Sequence, residues 1–335
     1  MKKIFDAAFY ELFEEEEKEL LKILPPNKKF FYTWKTIQEQ VEPEPHSKII
    51  SIRTQSKIPI EWANKIDAII TRSSGYDHVT EYLKKTKAKI KAAYLPEYAA
   101  RAVAEHALML WTCLLRKLNQ QKANICEFRR DGLTGREIRN RSITVIGVGK
   151  IGSEIVDIAH GLKMKIFGVD IVPREEISKK YDLEYLPLDT ALSRTEIAVC
   201  ALPLTDITKG LLNYGKLQKM PKNSIFINIA RGEISPSQDL LRLLDEKHLA
   251  GVGLDVYDCE KELAEVLRDG KILNDLPQNT ADSINATIKL MKHENAILTP
   301  HNAFNTLESV QRKCTKTCEN LNYYFKTEQF ISKIC

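Results

Sequence analysis

The chain has 335 residues and carries 50 Lys and Arg against 45 Asp and Glu, a formal net charge of +5. That length suits two domains better than one. A charged fraction of 28% beside 43% hydrophobic residues describes a globular protein, and with no dominant basic block the charge is poor ground for nucleic-acid binding.

In chain order, residues 3–9 form the first strand candidate, and Glu14, Glu15, Glu16 and Glu17 are expected on the exposed side of an early helix. A linker, Glu42-Pro43-Glu44-Pro45, precedes strand candidates at 49–52, 68–71 and 90–94. The Lys84-Lys85-Thr86-Lys87 cluster suits a solvated loop or helix end. A long helix is expected over about 99–119, with Glu105 and His106 near its start as a buried structural pair. Its apolar run over 106–115 is about half a membrane span, so no membrane segment is expected. Leu108, Leu110, Trp111 and Leu114 on it suit either a homodimer surface or an intramolecular core. Later strand candidates fall at 142–146, 165–169, 197–202, 224–228 and 251–256, and an amphipathic helix follows Asn305.

The stretch from 142 to 170 carries the first chemical signal. Ser142-Ile143-Thr144-Val145-Ile146 reads as a buried strand and runs into Gly147-Val148-Gly149-Lys150-Ile151-Gly152. Gly147 permits a tight turn, Gly149 a close approach to a pyrophosphate, and Gly152 close packing of helix on strand. The helix N-terminus then offers N–H groups and a positive dipole end to phosphates. Asp170 ends the next strand 18 positions beyond Gly152, near the roughly 20 expected of a carboxylate on the ribose 2′-OH. It disfavours a 2′-phosphate, so NAD is expected over NADP, with Arg174 close enough to blur the preference.

The seven cysteines, 113, 126, 200, 259, 314, 318 and 335, are odd in number and scattered. No second Cys or His pair has metal-ligand spacing, so free thiols in a reducing cytosol and no metal are expected. The early acidic run argues against a signal peptide. Downstream of the glycines come Arg231, Asp255, Glu260 and His301, with 24 positions from Arg231 to Asp255 and 5 from Asp255 to Glu260. A 2-keto acid sets a carboxylate beside a carbonyl. Arg231 suits that planar carboxylate and can polarise the carbonyl. His301 suits a general acid, and Glu260 beside it would orient the ring and favour its charged form. Backbone N–H groups of Ser74 and Gly75 suit the other side of the carboxylate.

These segments resemble the D-isomer-specific 2-hydroxyacid dehydrogenases over nearly the whole chain. The resemblance rests on Thr71-Arg72-Ser73-Ser74-Gly75-Tyr76-Asp77-His78, Leu95-Pro96-Glu97-Tyr98 and Val103-Ala104-Glu105-His106. It continues in Leu202-Pro203-Leu204-Thr205 through Thr208, Asn228-Ile229-Ala230-Arg231-Gly232, Leu254-Asp255-Val256-Tyr257 and Thr299-Pro300-His301. It implies an α/β fold of two Rossmann-like domains. A doubly wound, parallel-sheet NAD domain (101–299) would be inserted in a smaller, flavodoxin-like substrate domain (1–100 plus 300–335). Substrate would bind in the cleft between them, which would close on a hinge. The resemblance also places Lys150 and Ile151 at the pyrophosphate and Leu202, Pro203 and Thr208 along the nucleotide. Ile229, Ala230, Arg231 and Asp255 would lie towards the nicotinamide.

Departures bear on the substrate. Lys261 stands where many relatives have proline, Ser235 where an acid is usual, and Glu260 to His301 spans 41 positions with a polar insertion around 275–285. Phe304 in Asn302-Ala303-Phe304-Asn305 is close to the D-lactate dehydrogenase pattern and would close the pocket over pyruvate's methyl. Tyr98 either faces substrate or packs under its loop. The expected activity is reduction of pyruvate to D-lactate, with hydroxypyruvate or glyoxylate as alternatives. An NAD(H)-sensing, corepressor-like module and a dehydrogenase of formate or phosphite are readings from other classes.

Overall fold

The computed structural model describes residues 5–270 and 272–334. The chain divides into two units, one of residues 1–99 with 305–335 and one of residues 100–304. Residues 300–304, expected with the C-terminal segment, fall in the second unit.

The first unit holds β1 (Ala7–Phe9), β2 (Phe30–Tyr32), β3 (Ile49–Ile52), β4 (Ala68–Thr71) and β5 (Lys91–Ala93) in a parallel sheet of order β2-β1-β3-β4-β5. That order is flavodoxin-like. Of the first strand expected, Lys3 and Ile4 lie outside the described residues, and pairing starts only at Ala7. β2 was not expected, because three residues at a sheet edge leave no periodic signal. Tyr10, Ile50, Ile52, Trp62, Ile69 and Val79 form its core.

One element of this unit overturns the sequence reading. Glu14, Glu15 and Glu17 line the helix Glu14–Ile23 as expected of a solvated run, but Glu16 is buried. Its Oε1 accepts from Arg72 Nε at 2.6 Å and its Oε2 from Lys313 Nζ at 3.0 Å. The guanidinium of Arg72 also donates to Ser51 Oγ and to the carbonyls of Tyr10 and Glu11. Burial alone would raise the Glu16 carboxyl, but Arg72 and then Lys313 pull it down to about 2. Removing one partner of such a buried cluster strands the others. Glu16→Gln is expected to cost about 3–5 kcal/mol at neutral pH. The depressed carboxyl contributes fully above its unfolded value near ~4.3, and its contribution is lost as pH falls towards about 2. The gap between wild type and variant in denaturant titrations should therefore narrow below about pH 4. A constant gap would contradict the charge argument.

The final helix, Leu307–Thr327, belongs to this unit and turns Cys314 and Cys318 towards the carbonyls of Glu16 and Ile23. Their i, i+4 spacing thus serves packing. Cys335 lies outside the described residues.

The second unit holds β6 (Ser142–Ile146), β7 (Lys165–Val169), β8 (Glu184–Tyr185), β9 (Ile197–Cys200), β10 (Ser224–Asn228), β11 (Leu249–Leu254) and β12 (Ala296–Leu298). All are parallel, in the order β12-β11-β10-β9-β6-β7-β8. β6, β9 and β10 are buried at every position, their apolar residues interrupted only by Ser142, Thr144, Ser224 and Asn228, as expected of strands covered on both faces. The chain leaves β6 for β7 and β8, then returns to β6's other side at β9. The switch point of this doubly wound sheet therefore lies between β6 and β9.

The long helix differs from expectation. It runs over Ala100–Leu115, breaks at Lys117, which adopts φ 51°, and resumes over Leu118–Asn124. Leu110 and Trp111 are fully buried. Gly253 and Gly251 of β11 leave room for Leu110 and Leu114, whose side chains lie 3.0 Å from where a Cβ would stand. Leu110 and Trp111, with Leu114 beside them, therefore pack into their own unit, while Met109 is exposed and Leu108 partly so. No helix among the described residues is long and apolar enough to cross a membrane. The polar insertion around 275–285 runs into a helix over Gln278–Lys292 that buries Ala281, Ile284, Thr287 and Leu290.

Candidate functional site

The candidates of the second unit follow the carboxyl ends of its strands: the glycines after β6, Asp170 after β7, and Leu202 and Pro203 after β9. Ile229, Ala230 and Arg231 follow β10, Asp255 and Glu260 follow β11, and His301 follows β12. Crevices at that edge of a parallel sheet are where such folds bind ligands.

The three glycines of the cradle are required for three different reasons. Gly147 adopts φ 94°, and a Cβ there would meet the Ala201 carbonyl oxygen at 2.8 Å. A Cβ on Gly152 would stand 2.0 Å from the Gly147 oxygen. Around Gly149 nothing lies within 4 Å of that position, which leaves its backbone open to a ligand at the start of helix Lys150–Gly161. That helix has no side-chain cap at Gly149. The free space, the backbone donors and the dipole fit a pyrophosphate, with Lys150 and Ile151 in the first turn.

Asp170 braces this cradle. Its Oδ2 accepts from Val148 N at 2.8 Å and its Oδ1 from Val172 N at 3.0 Å. Arg174 lies against the same loop and donates to the Gly149 oxygen (3.2 Å) and Ser153 Oγ (2.8 Å). In the loop after β9, Thr208 Oγ1 donates to the Pro203 oxygen at 2.7 Å and accepts from Thr205 N at 2.8 Å. Thr208 thereby sets the course of Leu202 and Pro203.

Arg231 is presented by a turn that Asn228 knits together. Asn228 Oδ1 accepts from Ala230 N at 2.9 Å, and its Nδ2 donates to the Arg231 oxygen (2.9 Å) and Ser235 Oγ (2.8 Å). Ile229 and Ala230 are buried beside it. The turn presses on the chain after β11, since a Cβ on Gly232 would stand 1.8 Å from the Tyr257 carbonyl carbon. Arg231 Nη1 donates to the Ala230 oxygen at 2.8 Å.

His301 and Glu260 meet directly, with Nδ1 and Oε1 2.7 Å apart and each side chain about a third exposed (33% and 34%). A carboxylate only accepts, so the ring donates through Nδ1–H and leaves Nε2 for other chemistry. His301 sits at φ 49°, and Asp255 holds that turn. Asp255 Oδ1 accepts from Thr299 Oγ1 (2.6 Å) and Asn302 N (2.8 Å), and Oδ2 from Ala303 N (2.9 Å). Asp255 is 1% exposed, so it reaches the site through this turn. Burial, then Asp255 and Glu260, push the Tyr257 phenol above its ordinary value. It therefore stays protonated and donates to the Thr299 oxygen at 2.6 Å.

Two readings need correction or addition. His106 does not pair with Glu105, which instead binds Arg101 at 2.7 Å. Neighbours i and i+1 point to different helix faces, and His106 Nε2 lies 2.9 Å from Thr299 Oγ1 and 3.5 Å from Asp255 Oδ1. Asn228 and Thr299 had no role assigned from sequence. Each is a polar residue closing an apolar strand, which is the signal that would have found them.

In the first unit, the loop after β4 is held by Ser73 Oγ donating to the Gly75 oxygen (2.6 Å) and Ser74 Oγ to the Leu95 oxygen (3.1 Å). Tyr98 is buried, with its carbonyl accepting from Arg312 Nε at 2.8 Å and Lys313 Nζ 5.9 Å from its ring. Phe304, partly buried, belongs to the second unit. Among the described residues no group of three His, Cys, Asp or Glu is placed to hold a metal ion.

Residues 107–303 match the model of the D-isomer specific 2-hydroxyacid dehydrogenase, NAD binding domain. The chain is similar to the D-lactate dehydrogenase kk1H of Curvularia clavata, 30% identical over 79% of this chain and 73% of that protein. A glyoxylate reductase of Thermofilum pendens is also 30% identical, over 79% of this chain and 74% of its own. Among solved structures, the D-lactate dehydrogenase of Aquifex aeolicus complexed with NAD and lactic acid superposes with a TM-score of 0.80. It is 25% identical and covers 97% of this chain and 99% of its own.

Proposed function

We propose that this chain, which belongs to the D-isomer specific 2-hydroxyacid dehydrogenases, reduces pyruvate to D-lactate with His301 as the proton donor. It is an NAD-dependent oxidoreductase of 2-hydroxy acids. The observation that carries the proposal is the 2.7 Å pairing of His301, which follows β12, with Glu260, which follows β11, the strand beside the β10 that leads into Arg231.

Each residue then has a task. The dinucleotide, when bound, supplies the hydride. Lys150, Ile151 and the Gly149 backbone hold its pyrophosphate, Asp170 faces the ribose hydroxyls, and Leu202, Pro203, Thr208, Ile229 and Ala230 line its course. The Arg231 guanidinium pairs with the substrate carboxylate and draws charge onto the carbonyl oxygen. His301 gives the proton from Nε2 to that oxygen, while Glu260 holds Nδ1–H and stabilises the charged ring. Ser74, Gly75 and Tyr98 are proposed as substrate contacts from the loop after β4 and its neighbour. Phe304 is proposed to limit the substrate's C3 substituent to something near a methyl group.

NADH oxidation at 340 nm with pyruvate, hydroxypyruvate, glyoxylate and larger 2-keto acids tests this, run beside NADPH. Turnover is expected with pyruvate first and with NADH over NADPH. Preference for glyoxylate or hydroxypyruvate would replace the substrate and keep the mechanism. NADH binding without turnover on any 2-keto acid would overturn the catalytic reading in favour of an NAD(H)-sensing module.

A further inference from the structure

We propose that His106 is a positioning residue for His301, acting through the Thr299 hydroxyl and Asp255; this rests on His301 being the proton donor. The hydroxyl of Thr299 has one proton and three neighbours. Asp255 Oδ1 lies at 2.6 Å, His106 Nε2 at 2.9 Å and the Leu254 oxygen at 3.4 Å. The carboxylate is closest and charged, so the hydroxyl donates to it. The same oxygen must then accept from His106, which fixes the proton on Nε2. Burial lowers the His106 imidazole from its ordinary value, while Asp255 opposes the shift. The geometry places a proton on Nε2, and burial favours the neutral ring that carries it there.

The consequence lies two residues further on. Asp255 uses Oδ1 for both Thr299 and Asn302 N, and Oδ2 for Ala303 N. His301 stands between those anchors at φ 49°, with its own N–H donating to the Thr299 oxygen at 2.9 Å. A left-handed conformation is unfavourable for a residue with a Cβ and persists only where its surroundings hold it. Without the donor at His106, the Thr299 oxygen loses the bond that orients it, and the hydroxyl is held less firmly against Asp255. The shortest bond of Asp255 weakens, and with it one anchor of the His301 turn. Acid catalysis depends on placing Nε2 within hydrogen-bond reach of the reacting oxygen, so loosening the turn acts on kcat.

Three single variants test this: His106→Phe, which fills the space without donating, His106→Gln, which can donate from a similar position, and Thr299→Val, which removes the hydroxyl. His106→Phe should lower kcat for the preferred 2-keto acid about tenfold to a hundredfold, with the NADH dissociation constant unchanged. His106→Gln should recover most of that loss. The His106→Phe/Thr299→Val double variant should be no slower than Thr299→Val alone, as expected of two residues acting in one chain. Equal losses in Phe and Gln would mean that His106 only packs, and additive losses would break the link to Thr299. Nitrogen-15 NMR of histidine-labelled wild type at pH 8 should give His106 as the Nε2–H tautomer, and an Nδ1–H tautomer would overturn the proposal. That readout needs no turnover. A wild type that reduces no 2-keto acid would sink the functional reading and leave the hydrogen-bond chain to be decided by the spectrum.

Discussion

Replacing His301 should cost about 10²–10⁴-fold in kcat, the usual contribution of a positioned general acid. Two substitutions separate the ring from the turn that carries it. His301→Ala removes the imidazole and leaves at φ 49° a residue that tolerates the left-handed region less well than histidine does. His301→Asn also removes it, yet asparagine tolerates the left-handed region well. Both should lose turnover to a similar degree, while the asparagine variant keeps wild-type thermal stability. Binding of NADH, followed by its fluorescence, should be nearly unchanged in both, because the glycine cradle lies after β6, four sheet positions from the β12 that His301 follows. Steady-state rates with the preferred 2-keto acid decide the matter. An asparagine variant within tenfold of wild type would rule out His301 as the proton donor and leave Arg231 as the main chemical contributor.

The cradle was legible because its chemistry is local. A buried β-branched strand, three glycines and an acid at the next strand end each answer to a backbone constraint that the residue types declare. The contacts at Gly147 and Gly152 are those constraints, and the empty space at Gly149 is the third. The polar residues beyond were legible as a set, because Arg231, Glu260 and His301 match one another in chemistry. Spacing along the chain carried no information about which of them touch.

What the sequence hid was long-range or carried by atypical residues. Glu16 sits in a run of four glutamates, and nothing local marks the one that meets Arg72, 56 residues away, and Lys313, 297 residues away. The helix Gln278–Lys292 reads as polar because alanines and a threonine make up much of its inner face. Thr287 even buries its hydroxyl against Ser237 Oγ at 3.0 Å. Composition therefore concealed a period that Ala281, Ile284, Thr287 and Leu290 keep at helical spacing. β8 and β12 are two and three residues long, too short for alternation to show. Adjacency in sequence pairs His106 with Glu105, but the helix turns it towards Thr299, 193 positions on.

Gly232→Ala should be the most damaging single methyl in the second unit. The added Cβ would stand 1.8 Å from the Tyr257 carbonyl carbon and 2.2 Å from both the Tyr257 oxygen and the Asp258 nitrogen. All three are backbone atoms, so no side chain can swing aside to relieve the clash. Either the Asn228–Ser235 turn lifts, taking Arg231 with it, or residues 255–260 retreat, taking Asp255 and Glu260. Overpacking of this kind costs about 1–3 kcal/mol and occasionally more. A shift of about 1 Å in reacting groups is worth some hundredfold in rate. The variant should therefore lose about 100-fold or more in kcat/KM, with a lower melting temperature. Gly161→Ala supplies the control, since nothing lies within 4 Å of its Cβ position and it ends a helix away from the strand ends that carry the site. That variant should match wild type in both measurements. If Gly232→Ala matched it too, the close approach of the two turns would not be what holds Arg231 and Glu260 in register.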